Sequence, residues 1–455
     1  MNISNVSIKK LIKNYSCSLK SFFYFFLFFL SFSVLLLGEC IPSGQSPDEY
    51  SHLCRAYSLI KGDWFLKDNG SGVGSMINKG LIEYIGTYSS LYPNNKVTDK
   101  KYEDARKIKF NDDYVYISYP THALYFPITY LPQAIAFFIG EKTHQKVYKS
   151  LRLAKFLCVF SIAIMLFFAN KIYPIPFSVF FVLFLPMCLF QIASPTSDGL
   201  HYGMTILIMS LFYALYQFGF DVKKLVIFSC LLFIIGSHRI SLAPLVVLLL
   251  VLYSKERKKE YLLCFLIIST LILGWVFFAM QQFSNTQKTD GLMPIAFYYL
   301  THLQETLSIF SNTIFSTKTI INWLDSFIGI LGWLDYRMSK AFYYFSYLVL
   351  LTVFISSIKK KIYLYDIFIS IFSLLIIFIT LFLLLIQWTD FPHPKEIAGF
   401  QGRYCIYPVI ILLYALCRND RSYNKLSLTK VTFITVWGFV SVFDLFVNTI
   451  SRYYI

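Results

Sequence analysis

The chain has 455 residues, 56% of them hydrophobic, 19% aromatic and only 15% charged, and its mean hydropathy is +0.58. A soluble chain of this length would divide into about two or three domains with charged faces, so the composition excludes an ordinary soluble enzyme and indicates a polytopic membrane protein. The formal charge of +16 does not imply a nucleic-acid partner, because the lysines and arginines lie mostly between hydrophobic runs, where they orient a chain in a bilayer.

Residues 1–38 read as a basic cytoplasmic N-terminus followed by a first membrane span. The apolar block Phe22–Leu37 follows Lys9, Lys10, Lys13 and Lys20, no small-x-small cleavage pattern comes after it, and Glu39 stands where a lipoprotein site needs a small residue. An uncleaved anchor is therefore expected. Residues 39–150 read as a long first extracytoplasmic loop, rich in Tyr, Gly, Asn and charge; its apolar part, 122–139, carries Pro127 and Pro132 and reads as an interfacial helix.

Residues 151–455 read as a multi-span helical core with outer-face loops at 282–338 and 387–402. Spans are expected near 151–169, 175–193, 199–219, 224–237, 240–253, 261–281, 339–357, 364–386, 403–417 and 431–450, which with the first makes about eleven. Charge decides whether 224–253 is one helix or a hairpin broken at Ser237-His238-Arg239. Only a hairpin puts Lys171, Lys223, Lys224, the SKERKKE run at 254–260, Lys359 to Lys361, Arg418, Arg421, Lys425 and Lys430 all on the cytoplasmic side. The nine cysteines are scattered singly, without CxxC or zinc spacing, and read as small hydrophobes. The expected fold is an all-α polytopic membrane protein.

With that threading, five polar motifs fall on the outer side: PDEYSH at 47–52, SPTSD at 194–198, SHR at 237–239, GWLDYR at 332–337 and QGRY at 401–404. Polar groups at membrane depth are costly and are retained mainly where they act, so five clusters at one face suggest one site. Asp48 and Glu49 are adjacent and point in different directions on any regular backbone, so they need different tasks. One is a candidate general base for an acceptor hydroxyl; with His52, four residues after Asp48, the pair could instead hold a divalent cation such as Mg or Mn. The structural alternative is that Pro47-Asp48-Glu49 merely starts a helix, with its acids at the positive end.

Arg403 carries a planar guanidinium suited to a phosphate, against the alternative of a snorkelling interfacial side chain. Arg239 and His238 could meet the same anion or could simply cap a hairpin turn. Asp198, with Ser197, reads more readily as a helix N-cap than as a site acid. Asp335 reads as a local partner of Arg337 in an interfacial aromatic belt. Together these parts suit transfer from a lipid-linked phosphate donor, with a base for the acceptor and cations for the departing phosphate.

At PDEYSHLCRAYSLIKGDW (47–64), YPTHALYFPITYLPQAIAF (119–137), Arg152 in SLRLAKF, SPTSDGL (194–200), GWLD (332–335) and QGRYCIYP (401–408), the chain resembles the bacterial membrane proteins catalogued as domain of unknown function 2142, relatives of the GT-C-type glycosyltransferases. The resemblance spans nearly the whole chain. It implies a GT-C-like fold and transfer of a sugar from a polyprenyl-phosphate carrier to an acceptor outside the cytoplasmic membrane. It carries the acid role onto Asp48 or Glu49 and makes Arg403 the leading phosphate contact. His52, Arg55, His238, Arg239, Gln401, Tyr404, Asp198 and Asp335 are the further candidate substrate contacts. Many relatives have a proline where this chain has Tyr50, and often a lysine where it has His238-Arg239; neither difference removes a needed charge.

The Phe, Ile, Lys and Asn bias resembles that of surface-polysaccharide genes, so an O-antigen or capsule glucosyltransferase is expected, in a bacterial inner membrane. Its expected partners are the lipid bilayer, the lipid-linked donor, the polysaccharide acceptor, and a flippase and lipid-sugar synthase of the same pathway. The rivals are a transporter or flippase of lipid-linked sugars and a non-catalytic scaffold. The transporter fits less well, because the halves show no internal repeat and the polar groups gather at one face.

Overall fold

The computed structural model describes residues 16–282, 291–417 and 425–455. Lys9, Lys10, Lys13, Arg418, Arg421 and the first part of the 282–338 loop lie outside them. The described chain is mostly helical, and seven helices are long and apolar enough to cross a membrane: Ser21–Cys40, Val147–Ile172, Asp198–Phe218, Lys259–Met280, Lys340–Ser357, Leu364–Gln387 and Thr429–Tyr453. Each satisfies its own backbone hydrogen bonds, as a spanning segment must. Phe28, Phe160, Leu273, Leu348 and Phe443 stand exposed on their outer faces, an apolar surface suited to lipid. Asp198–Phe218 is enclosed over most of its length and forms the central post.

These seven coincide with seven of the eleven expected segments. The other four are also helical, but shorter. Proline explains three of them: Pro186 restarts the 175–193 segment, which becomes Phe177–Leu183 and Pro186–Ala193. Pro244 turns Ile240–Val247 into a 3-10 helix ahead of Leu248–Glu256, and Pro408 lies in the first turn of Ile406–Leu416. A proline lacks the N–H and crowds the preceding turn, so it fits only where a helix begins or loosens. Val222–His238 ends at the expected break, where Arg239 is extended, and Ile240–Val247 folds back against it.

The all-α expectation needs correction in the first loop. Lys67–Asp68, Val73–Asn78 and Tyr114–Ser118 form a three-stranded antiparallel sheet with the middle segment at its centre, Gly74 opposite Ser118 and Asn78 opposite Tyr114. The central strand is buried at every position but Met76, as befits a strand paired on both edges and covered by the loop. A smaller hairpin pairs Ile330–Leu331 with Tyr336–Arg337. The apolar part of the loop folds as short 3-10 turns and the helix Leu131–Lys142, none of it among the long apolar helices.

Candidate active site

Four helix ends meet at one end of the bundle. Ser21–Cys40 finishes there, Asp198–Phe218 begins there, Val222–His238 finishes there, and the turn Gly402–Cys405 opens Ile406–Leu416 there. Each local sequence fixes its part. Trp333 of the GWLD motif donates its indole N–H to the Gly44 carbonyl at 2.7 Å, and Gln45 donates to the Tyr88 carbonyl at 2.8 Å, which tethers the approach to PDEYSH. Gln133 donates to the carbonyls of Pro195 and Thr196, both at 3.3 Å, and so steadies the turn before Asp198. The Gly402 amide donates to Ser326 Oγ at 2.6 Å.

Pro47-Asp48-Glu49 does start a helix, Glu49–Ile60, with Asp48 at its N-cap in the left-handed region at φ 61°. Asp48's carboxylate does not cap that helix. Instead its Oδ2 accepts from Arg403 Nη2 at 2.8 Å. Arg403, only 3% exposed, also reaches Asp198 Oδ2 through Nη1 at 3.3 Å. Asp198 is 2% exposed and takes a second guanidinium, that of Arg239, on Oδ1, together with the Tyr407 hydroxyl at 3.3 Å. The N-cap reading of Asp198 is thereby corrected: Ser197 holds the cap position, and the carboxylate joins two arginines. The snorkelling reading of Arg403 fails as well, because the side chain turns into the protein.

Two carboxylates balance two guanidiniums, yet the Nε atoms of both Arg239 and Arg403 are buried without a protein partner. An unpartnered buried donor costs about 1–3 kcal/mol, which an arriving anion would recover. Asp48 is the open member, with 53% of its side chain exposed. Burial pushes its carboxyl up, but the Arg403 guanidinium beside it, aided by His52 and His122, holds it below the ordinary carboxylate range.

The remaining candidates sort themselves by position. His52 is buried on Tyr130, its Nδ1 2.7 Å from the hydroxyl, and its ring packs edge-on against His122 at 4.7 Å. His238 lies within hydrogen-bond reach of Thr129 at 2.7 Å and Ser197 at 3.1 Å, and stacks on Tyr125 at 4.6 Å. Tyr404 lies against Arg403, its ring centroid 5.2 Å from the guanidinium. Gln401 immediately precedes the 3-10 turn and has a buried Oε1 without a protein partner.

Three candidates are not brought into the cluster. Glu49 points away from Asp48, accepting the Ser46 amide at 3.0 Å, and burial raises its carboxyl above the ordinary range. Arg55 is wholly buried and donates to Ser58 Oγ at 2.9 Å and to the carbonyls of Asp63 at 2.9 Å and Trp64 at 2.7 Å, so it closes the end of its own helix. Asp335 accepts from Arg452 Nη2 at 2.6 Å, while Arg337 turns outward to Asp325 at 2.9 Å. The expected Asp335–Arg337 pair does not form: Asp335 lies in the turn ahead of the strand Tyr336–Arg337, and each residue takes its charged partner from a different helix. As metal ligands, Asp48, Glu49 and His52 diverge, and among the described residues no group of three or more His, Cys, Asp and Glu side chains could hold an ion.

Sequence reasoning missed His122, Tyr130, Tyr407 and His201, whose ring centre lies 4.3 Å from that of His238. His201 and Tyr407 follow Asp198 and Arg403 by three and four residues, on the same helical faces, a spacing that could have found them. His122 and Tyr130 come from the first loop, inside the 119–137 motif that carries the resemblance, which was the one signal that could have found them.

Beside Arg239 and His238 opens a cavity of about 300 Å³ with a largely apolar wall, which includes Leu124, Val276, Met280, Leu292 and Ile386. The family model described as a predicted membrane protein, DUF2142, matches residues 28–413. The chain belongs to this family of predicted membrane proteins. Comparison with curated proteins and with solved structures gives no match.

Proposed function

We propose that this protein is an integral-membrane glycosyltransferase of GT-C-like architecture, with about eleven crossings and a cytoplasmic N-terminus. It moves a sugar from a polyprenyl-phosphate carrier to a hydroxyl of a surface polysaccharide at the outer face of the cytoplasmic membrane. Glucose is the sugar and an O-antigen or capsule chain the acceptor in our reading. One observation carries it: Arg403, on the half-open carboxylate of Asp48, and Arg239, in the wall of an apolar cavity, share Asp198, and each keeps a buried Nε without a protein partner. A polyprenyl phosphate needs both parts, an oily slot and a cationic grip.

The chemistry is one displacement. The acceptor oxygen forms a bond to the anomeric carbon, the bond from that carbon to the phosphate oxygen breaks, and polyprenyl phosphate departs with the electron pair. Arg403 and Arg239 hold the growing negative charge, so the leaving group needs no acid. The acceptor proton passes to Asp48. As the donor phosphate draws Arg403 toward itself, Asp48 loses the partner that keeps it a weak base, and its proton affinity rises when the proton must be taken. Glu49, buried on the Ser46 amide, sets the angle at which Asp48 leaves the loop.

A flippase reading calls for polar groups at mid-membrane, whereas these meet where helices begin and end. The test compares Asp48→Asn and Glu49→Gln with the wild type in cells lacking the native gene, reading membrane abundance and then sugar on the surface polysaccharide. Asp48→Asn is expected to lose transfer by at least about 100-fold at normal abundance, the usual worth of a general base. Glu49→Gln, which keeps a hydrogen-bond acceptor, is expected to retain most of it. Undiminished transfer by Asp48→Asn would overturn the assignment.

A further inference from the structure

A second polar cavity, of about 210 Å³, opens where the end of Ser21–Cys40 and the start of Val147–Ile172 meet the loop helices Lys79–Ser89 and Asp99–Lys107. Three cations line it, Arg106, Arg152 and Lys155, against a single carboxylate, Glu39. That carboxylate is taken by Arg152. Lys155 gives its ammonium to the carbonyls of Gly38 and Ile41, the latter at 3.3 Å. Arg106 makes no ion pair among the described residues. Its guanidinium lies 4.9 Å from the ring centre of Tyr148 and 5.0 Å from that of Tyr102, and Arg152 approaches Tyr148 at 5.4 Å. One tyrosine ring thus orders two guanidiniums at the rim of a cavity that keeps a net positive charge.

These features define an occupant. Positive charge in excess of the local acids selects an anion, and planar guanidiniums suit a carboxylate or phosphate. Tyrosine hydroxyls both donate and accept, as recognition of ring hydroxyls requires. The volume is below the ~300 Å³ at which drug-sized pockets begin, which suits one sugar residue. We propose that this cavity binds a sugar carrying a carboxylate, an acidic unit of the acceptor polysaccharide. The identity of the occupant rests on the glycosyltransferase reading above. The wall at Gly38–Ser43 leads along the chain to Ser46 and Asp48, and Lys155 lies within electrostatic reach of Glu49, so the cavity adjoins the acidic motif on its Glu49 side.

The test measures binding without turnover, on the full chain in phosphatidylcholine nanodiscs, by titration calorimetry. The probes are methyl glucuronoside, methyl glucoside and inorganic phosphate. The acidic sugar is expected to bind at least about tenfold tighter than the neutral one, a difference that Arg106→Gln removes and Asp48→Asn leaves in place. Tyr102→Phe, a milder change at the exposed rim, is expected to weaken both sugars and checks the site should Arg106→Gln lower the melting temperature. Equal affinity for the two sugars, or unchanged preference in Arg106→Gln, overturns the proposal. Tighter binding of inorganic phosphate, or loss of sugar binding in phosphatidylglycerol nanodiscs, overturns it in favour of a lipid-headgroup site. Failure here leaves sugar transfer and its Asp48→Asn test standing, and failure of transfer leaves the measured affinities intact.

Discussion

At residue scale, the adjacent acids Asp48 and Glu49 divide their work because one carboxylate is half open beside an arginine and the other is sealed on a backbone amide. His52, with the buried ring of His122 beside it, carries a pH signature. Burial first of all, then Arg239 and Arg403, push its imidazole down against the pull of Asp198 and Asp48, to about 4. The folded chain therefore keeps this histidine neutral through a range in which an unfolded one, with its ordinary value near 6.5, takes up a proton. More protons bound in the unfolded state means stability that is full above about pH 6.5 and declines on acidification toward pH 4, by up to about 3 kcal/mol. The depressed carboxyl of Asp48 contributes in the same direction but lower, its share being lost only as the pH falls through its folded value, below the ordinary 3.8. Melting temperatures in detergent should fall between pH 6.5 and 4, with a shallower slope in His52→Gln. An identical slope in the variant would show that His52 is not the group responsible. The acid pair, Arg403 and the broken turn at Arg239 were legible in the sequence because each is a polar interruption at the edge of an apolar run. The partners they chose were not, since Asp48 and Arg403 are separated by most of the chain.

At the scale of elements, the elements deliver the site through close contacts that sequence pattern does not register. Gly402 is the sharpest case. A Cβ there would lie 2.2 Å from both the Phe327 amide nitrogen and the Trp323 carbonyl oxygen, so the turn that carries Arg403 can press on the helix Thr317–Gly329 only without a side chain. Gly402→Ala is expected to cost about 1–3 kcal/mol by forcing backbone apart. It should also reduce transfer by an order of magnitude or more, because a shift of ~1 Å in a positioning group can cost about 100-fold. Gly86→Ala is the control: its Cβ meets nothing within 4 Å, and it lies inside Lys79–Ser89, where alanine favours the helix. Melting temperature and sugar transfer on both variants decide the matter, and a silent Gly402→Ala would contradict this packing account. The prolines were equally visible in the sequence, but their effect, three expected spans broken or shortened, depends on neighbours that shelter the broken turns.

For the whole molecule, the gathering of four helix ends at one pole gives the protein two unlike ends. The arginine cluster marks one; Lys171, Lys223 and Lys224 stand at the helix ends of the other. Reporter fusions at Tyr253 to Lys259 should therefore read cytoplasmic and a fusion at Lys395 should read external. The reverse result would carry the arginine cluster to the cytoplasmic side and end the proposed role at the cell surface. The sequence by itself determined the membrane class, the seven long helices and the positions of the charged interruptions, because hydrophobic run length and local charge are properties of contiguous residues. Only the tertiary structure decided that Asp198 unites two arginines, that Asp335 serves Arg452, that Glu49 turns away, and that a small sheet braces the first loop. A buried charge takes whichever opposite charge the packing brings within reach, and that choice is made across the bundle, not along the chain.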